Sequence, residues 1–244
     1  MPSSWGAGWE PVAGRPFTYT DDRRQVLRYF SGAEAGSVGD GTREHRRLRT
    51  REATTFHPMH VSDAIRDRRS VKRFTEQPVA RKDIETLLSA ATLAPNHRLT
   101  QPWRFYVLGP EARHAYGLAL GDRKARKLED SEAARAMRET VAAEHRSLPA
   151  MIAVAVVDSD NPEIREEDYA AAMMAVQNIS LSALELRLGT HIKTGGVMGD
   201  PAARAAAGVR DGERIIAIIN IGVPADVPSP KKREPASAYT TWVP

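Results

Sequence analysis

Residues 168–188 read DYAAAMMAVQNISLSALELRL, and this run decides the fold. It is long enough for about six helical turns. From Tyr169 to Val176 it is apolar on nearly every side. A helix without a polar face has to be covered all round. In a chain of 244 residues a sheet of the same molecule covers one side, and the other side calls for a second subunit. The acids Glu166-Glu167-Asp168 read as a helix start that complements the dipole.

Elements on either side of the run fill in the architecture. Met151–Val157 is a buried strand before it, and Gly189–Gly196 is a turn or strand after it. Asp200-Pro201 is an N-cap and first-turn pair for a helix to Ala207, and Arg214–Val223 is a further strand. Upstream, Trp103–Leu108 is a strand closed by Gly109-Pro110. Glu111–Leu120 and Arg123–Arg146 are helical and mostly polar, so they are expected on the surface. Ala80–Leu93 is a helix stopped by Pro95, and Val61–Arg69 a short one with Val61 and Ile65 at i, i+4. The tail 224–244 has five prolines and reads as an extended arm. The order predicts mixed α and β structure around one sheet. No GxGxxG follows a first strand, so the usual dinucleotide fold has no support.

Composition excludes whole classes of chemistry. The chain has no cysteine, which removes disulfides, thiol nucleophiles, Fe–S clusters and Cys-ligated zinc. Its seven histidines show no metal-binding spacing, and there is no GxSxG or Walker loop. No metal site is expected. The apolar runs Met151–Val157 and Ile215–Ile219 fall far short of a membrane span of about 20 residues, and Met1–Arg15 lacks a secretory apolar region. A soluble cytoplasmic protein is the expectation. The net charge of +4 divides evenly between residues 1–58 and 59–244. The basic stretch Arg43–Arg51 has no interleaved aromatics, so no nucleic-acid partner is expected.

Residues 1–58 differ from the rest. They hold seven of the 17 glycines, only five aliphatic residues and no lysine, too little to bury a core. Yet they carry seven aromatic residues, from Trp5 to Phe56. They read as a poorly structured tail, an extension wrapping the domain, or a start placed upstream of a natural Met59. The working domain is expected to be 59–244.

Four segments have the composition of a ligand site. Arg68-Arg69-Ser70-Val71-Lys72-Arg73 gathers four cations and a hydroxyl, a set that matches phosphate oxygens but also suits a solvated turn. Ala94-Pro95-Asn96-His97 leads through Gln101-Pro102-Trp103 into a strand, as a functional loop or a plain connector. Lys193-Thr194-Gly195-Gly196 would let backbone approach a flat ligand, or merely turn. Pro230-Lys231-Lys232-Arg233-Glu234-Pro235 reads as a phosphate clamp or a soluble tail. The set is equipped to hold an anion and shows no obvious constellation for acid–base or nucleophilic work. That combination favours a cofactor that carries the chemistry.

In this order and spacing, the four segments together resemble the nitroreductase family of FMN enzymes, from about Val61 to Trp242. The compact form is most similar to the small bacterial NAD(P)H nitroreductases. The resemblance implies an α+β fold: a three-layer α/β/α sandwich with a central mixed sheet, forming an intertwined homodimer with FMN at the interface. It implies that Arg68, Arg69 and Ser70 hold the FMN phosphate and ribityl chain, with Lys231 and Arg233 as the late phosphate pair. Lys72 would place a cation near the flavin N1/O2 edge. Pro95, Asn96 and His97 would reach the flavin from the other subunit. Lys193, Thr194, Gly195 and Gly196 would run along the ring edge near N5 and O4. The implied reaction passes a hydride from NADH or NADPH through FMN to a nitro compound, quinone or similar acceptor, with no protein nucleophile. The alternatives are oxygen-dependent flavin cleavage or reductive dehalogenation, which need specific residues near N5 that this sequence does not identify, and non-catalytic FMN binding. Two positions depart from the family pattern. Asn96 stands where many members have serine, and Ile192-Lys193-Thr194-Gly195 stands where close bacterial members have Trp-Arg-Ser-Gly.

Overall fold

Four strands form one sheet in the order β1-β2-β4-β3 in a computed structural model that describes residues 59–243. They are β1 (Trp103–Val107), β2 (Ala150–Val157), β3 (Gly189–Lys193) and β4 (Glu213–Gly222). The expected segment 1–58 lies outside the described residues. All three strand pairs are antiparallel. The mixed character expected of the sheet comes only from an isolated parallel bridge, Ser70 to Thr190, outside the four strands. Phe74 bridges Pro224 antiparallel, so the 70–74 segment runs from the start of the edge strand β3 to the chain just past β4.

The central strands carry continuous apolar sequence because both faces of the sheet are covered. Met151 through Val156 and Ala217 through Ile219 are buried. On one face Ile152, Val154, Val156, Ala217 and Ile219 pack against α2 (Arg81–Ala91) and α5 (Pro162–Glu185). On the other, Met151, Ala153, Ile215 and Ile218 meet α3 (Pro110–Ala125) and α6 (Pro201–Ala207). Helix, sheet and helix make three layers.

A register shift between Val154 and Ala155 keeps the faces apart. Ala217 pairs with Val154 and Ile215 with Ala155, so Ile216 is the extra residue. Without that bulge Ile215 and Ala217 would share a face, since side chains alternate along a strand. With it they serve opposite cores.

The helices α3 and α4 (Ser131–Arg146) are not the plain surface helices expected from their polarity. Tyr116, Ala119, Val141 and Ala142 are buried. The chain breaks at 126–130, where the Asp130 carboxylate accepts the Glu132 N–H at 2.8 Å and caps α4. Gly117 and Gly121 let the two helices approach. A Cβ on either would stand 2.7 Å from backbone of α4, at Ala142 or Arg138. α1 (Val61–Asp67) buries only Ala64, so Val61 and Ile65 do not form the inward face that their spacing suggests. No helix of the described residues is long and apolar enough to cross a membrane.

Candidate active site

The end of α1 delivers the basic segment to the sheet edge. Arg68 caps the helix through its N–H to Ala64 O at 3.0 Å. The Arg69 guanidinium turns back to donate to Arg66 O at 2.7 Å and Arg68 O at 3.0 Å. The chain then becomes extended: Val71 is buried and its N–H donates to Thr190 O at 2.9 Å. Alternation puts Ser70 and Lys72 on the side opposite Val71. Arg73 is drawn off by Asp226 at 2.8 Å.

Arg68, Arg69, Ser70 and Lys72 line a cavity of about 590 Å³ together with Lys231 and Arg233. Residues some 160 positions apart in sequence thus meet at one place, as the two basic segments suggested. Among the described residues no acidic side chain lines it. Arg66, at its rim, is already paired with Asp63 and Asp67. The remaining cations face the cavity without an internal counter-charge. Such a cluster is self-repelling and is complemented by a multivalent anion.

Lys72 also lines a second cavity, of about 790 Å³, on the α4 side of β3. There it meets Lys193, His191, His145 and Asn220. His191 pairs with Asn220 across the β3–β4 ladder. Asn220 is buried, and its Oδ1 has no hydrogen-bond partner. Lys193 Nζ lies 3.3 Å from His145 Nε2. Burial, reinforced by Lys124, holds the Lys193 ammonium below its ordinary pKa against the pull of Glu144. Burial, then Lys193 and Lys72, does the same to His191. After Lys193 the chain turns through Thr194. Gly195 sits at φ +145°, a region open essentially to glycine alone. A Cβ on Gly196 would meet the Arg123 guanidinium at 2.5 Å.

The expected loop at Pro95, Asn96 and His97 is not brought to either cavity within one chain. It docks instead on the start of α5. Arg98, Leu99 and Gln101 all have positive φ, at 61°, 51° and 46°. Asn96 Oδ1 accepts the Gln101 N–H at 2.6 Å, and Arg98 binds Glu163 and Glu167 at 3.1 and 3.2 Å. Thr100 Oγ1 donates to the buried Asp168 at 2.5 Å. The acids read as a dipole-complementing start therefore act differently. α5 begins at Pro162, capped by Asn161 accepting the Glu163 N–H, and Glu167 and Asp168 face the loop.

His145, His191 and Asn220 were not legible as site residues. His191 had a usable signal, since it lies two positions before Lys193 on a strand and so shares its face. His145 comes from a helix nearly 50 residues away and had none.

Comparison with known proteins places the chain in a family. The Nitroreductase family model matches residues 65–223. YfhC from Bacillus subtilis (strain 168), named for an inferred NAD(P)H nitroreductase activity, is 34% identical over 178 residues, 72% of this chain and 90% of YfhC. The crystal structure of a nitroreductase-like family protein from Bacillus cereus superposes with a TM-score of 0.68 at 31% identity, covering 78% of this chain and 99% of that one. A Desulfovibrio desulfuricans nitroreductase-like protein, crystallised with FMN, gives 0.58 at 26% identity over 77% and 99%. This chain belongs to the nitroreductase family.

Proposed function

We propose that this chain is an FMN-dependent oxidoreductase that takes electrons from NADH or NADPH and gives them to a nitro compound, a quinone or a similar small acceptor. The observation that carries the reading is the acid-free cluster of Arg68, Arg69, Ser70, Lys72, Lys231 and Arg233 around one cavity. A phosphate monoester carries close to two negative charges at neutral pH, which this donor set suits. The group also fits by chemistry, because FMN, when bound, would supply the hydride exchange itself.

In this reading the chain's own residues bind, orient and polarise. Arg68, Arg69, Ser70, Lys231 and Arg233 hold the phosphate and ribityl chain. Lys72, common to both cavities, presents a fixed positive charge to the ring. Lys193, Thr194, Gly195 and Gly196 provide the edge along which the ring lies, with glycines where backbone has to come close. Pro95, Asn96 and His97 complete the site from a second subunit, and the protein acts as a homodimer. The exposed Met174 and Ala170 of α5, and the displacement of the 95–97 loop from both cavities, support that assembly.

The test is the visible spectrum of the purified protein. Flavin bands that bleach anaerobically with NADH or NADPH are expected, and a colourless protein that takes up no FMN overturns the reading. Arg68→Ala is expected to lower FMN retention by roughly tenfold or more, the equivalent of one charge-assisted hydrogen bond. Flavin content after gel filtration measures it.

A further inference from the structure

His145 of α4 lines the second cavity and packs against Gly117 of α3. A Cβ on Gly117 would stand 3.0 Å from His145 Cβ as well as against Ala142. The ring is buried, with Nδ1 2.7 Å from Val141 O. A carbonyl only accepts, so Nδ1 carries the hydrogen and Nε2 is left as an acceptor. The group 3.3 Å from Nε2 is the Lys193 ammonium, which only donates. Backbone, imidazole and ammonium thus form a chain with a single direction. Among the described residues no carboxylate lies within ion-pair distance of Lys193.

We propose that His145 is a positioning residue for Lys193: its neutral imidazole holds the ammonium on the wall of the cavity that Lys72 shares, fixing the charge a bound flavin meets there. The proposal rests on the reading that these cavities take FMN. The groups around His145 favour its neutral form. Burial dominates, the Val141 carbonyl opposes it, Lys193 adds to it, Glu144 opposes and Lys124 adds; of the other charged or titratable groups, Lys72, Arg73, His191 and the carboxylate Glu76 line the same cavity. The Tyr116 ring packs at 6.0 Å on the α3 side, its hydroxyl pushed up to about 12 by burial, so it brings no charge. An imidazole kept neutral in a cationic setting is a dependable acceptor for a lysine. A flexible lysine without an acceptor would spread over many rotamers.

The test is a double-mutant cycle on the FMN-loaded protein with His145→Leu, His145→Gln and Lys193→Met. His145→Leu is expected to retain FMN, because the phosphate cluster is untouched, and to slow flavin reduction by NADH or NADPH about tenfold while lowering the flavin midpoint potential. His145→Gln, whose carbonyl can accept from Lys193, restores most of both. In the Lys193→Met background His145→Leu has no further effect. Equal effects of His145→Leu in both backgrounds overturn the proposal in favour of a merely structural role. The pair is also read without activity, by NMR titration of the His145 ring. Lys193→Met is expected to raise its midpoint, since a neighbouring cation is removed, and an unmoved midpoint overturns the proposal even where His145→Leu does not fold. A wild-type protein that binds no FMN overturns the functional reading instead, and the titration still judges the pair.

Discussion

At the scale of single residues, Lys72 and His191 illustrate two kinds of legibility. Lys72 sits in a contiguous basic segment, and one extended stretch places Ser70 and Lys72 on one side of Val71. Local sequence was enough, because neighbours in sequence stay neighbours in an extended strand. If Lys72 supplies the fixed charge, Lys72→Met should slow flavin reduction by NAD(P)H by about ten- to a hundredfold without unfolding the protein, as loss of one preorganised charge does. Stopped-flow reduction at matched flavin content checks it, and an unchanged rate removes Lys72 from the role. The histidines carry a second prediction. His145 and His191 are both held below their ordinary pKa, chiefly by burial. Unfolding lets them take up protons at a higher pH than the folded state allows. Stability is therefore full above about pH 6.5, the unfolded value, and falls as pH drops through the lowered folded values. Thermal melts between pH 8 and pH 5 should show this acid limb, and His145→Gln should make it shallower.

At the scale of elements, periodicity located the helices and strands but not the places where two elements touch. α2, β1, β2 and β4 fall within a residue or two of their expected bounds. The missing information was pairwise. Gly117 and Gly121 look like poor helix residues, a cost of about 1 kcal/mol each relative to alanine in isolation. Their purpose appears only against α4, where backbone occupies the space a Cβ would need. Likewise the bulge at Val154/Ala155 is invisible in the run Ile215–Ile219, because every residue there is apolar whichever face it serves. The glycine contact makes a clear prediction. Gly117→Val must push α3 away from α4, an overpacking cost of about 1–3 kcal/mol. For a domain of this size each kcal/mol lowers Tm by about 2–4 °C. Since the same contact seats His145, Gly117→Val should also weaken the influence of Lys193 on the His145 titration. A melt that is unchanged would mean that the helices are free to separate.

At the scale of the whole molecule, α5 supplies the step that a single chain cannot. Between Tyr169 and Val176 its sequence is apolar on nearly every side, and within one chain its covered side is Ala171, Ala172, Ala175, Val176, Ile179 and Ala183. The stripe Ala170, Met174, Gln177 lies exposed, with Leu181 and Leu184 half-buried beyond it on the same face. Met174 keeps 41% of its surface, although it sits in the stretch Tyr169–Val176 that has no polar face of its own to meet water. At the N-terminal end of the same helix, the strained loop 95–101 is clamped by Glu163, Glu167 and Asp168 and holds Asn96 and His97 away from the cation cluster. In the homodimer proposed above, a second subunit packed on the α5 stripe would cover the apolar face and would bring its own 95–97 loop to this subunit's cavities. Assembly and cofactor binding would then be coupled, because the site is incomplete in a monomer. Met174→Glu tests the coupling. A carboxylate removed from water costs several kcal/mol, and each 1.4 kcal/mol is tenfold in Kd, so the dimer should dissociate at concentrations about a hundredfold or more higher than the wild type does. Sedimentation velocity at graded concentrations measures that shift, and flavin absorbance recorded in the same runs measures the coupling. FMN should leave as the dimer dissociates. Monomers that keep their flavin would show that the 95–97 loop plays no part in holding it.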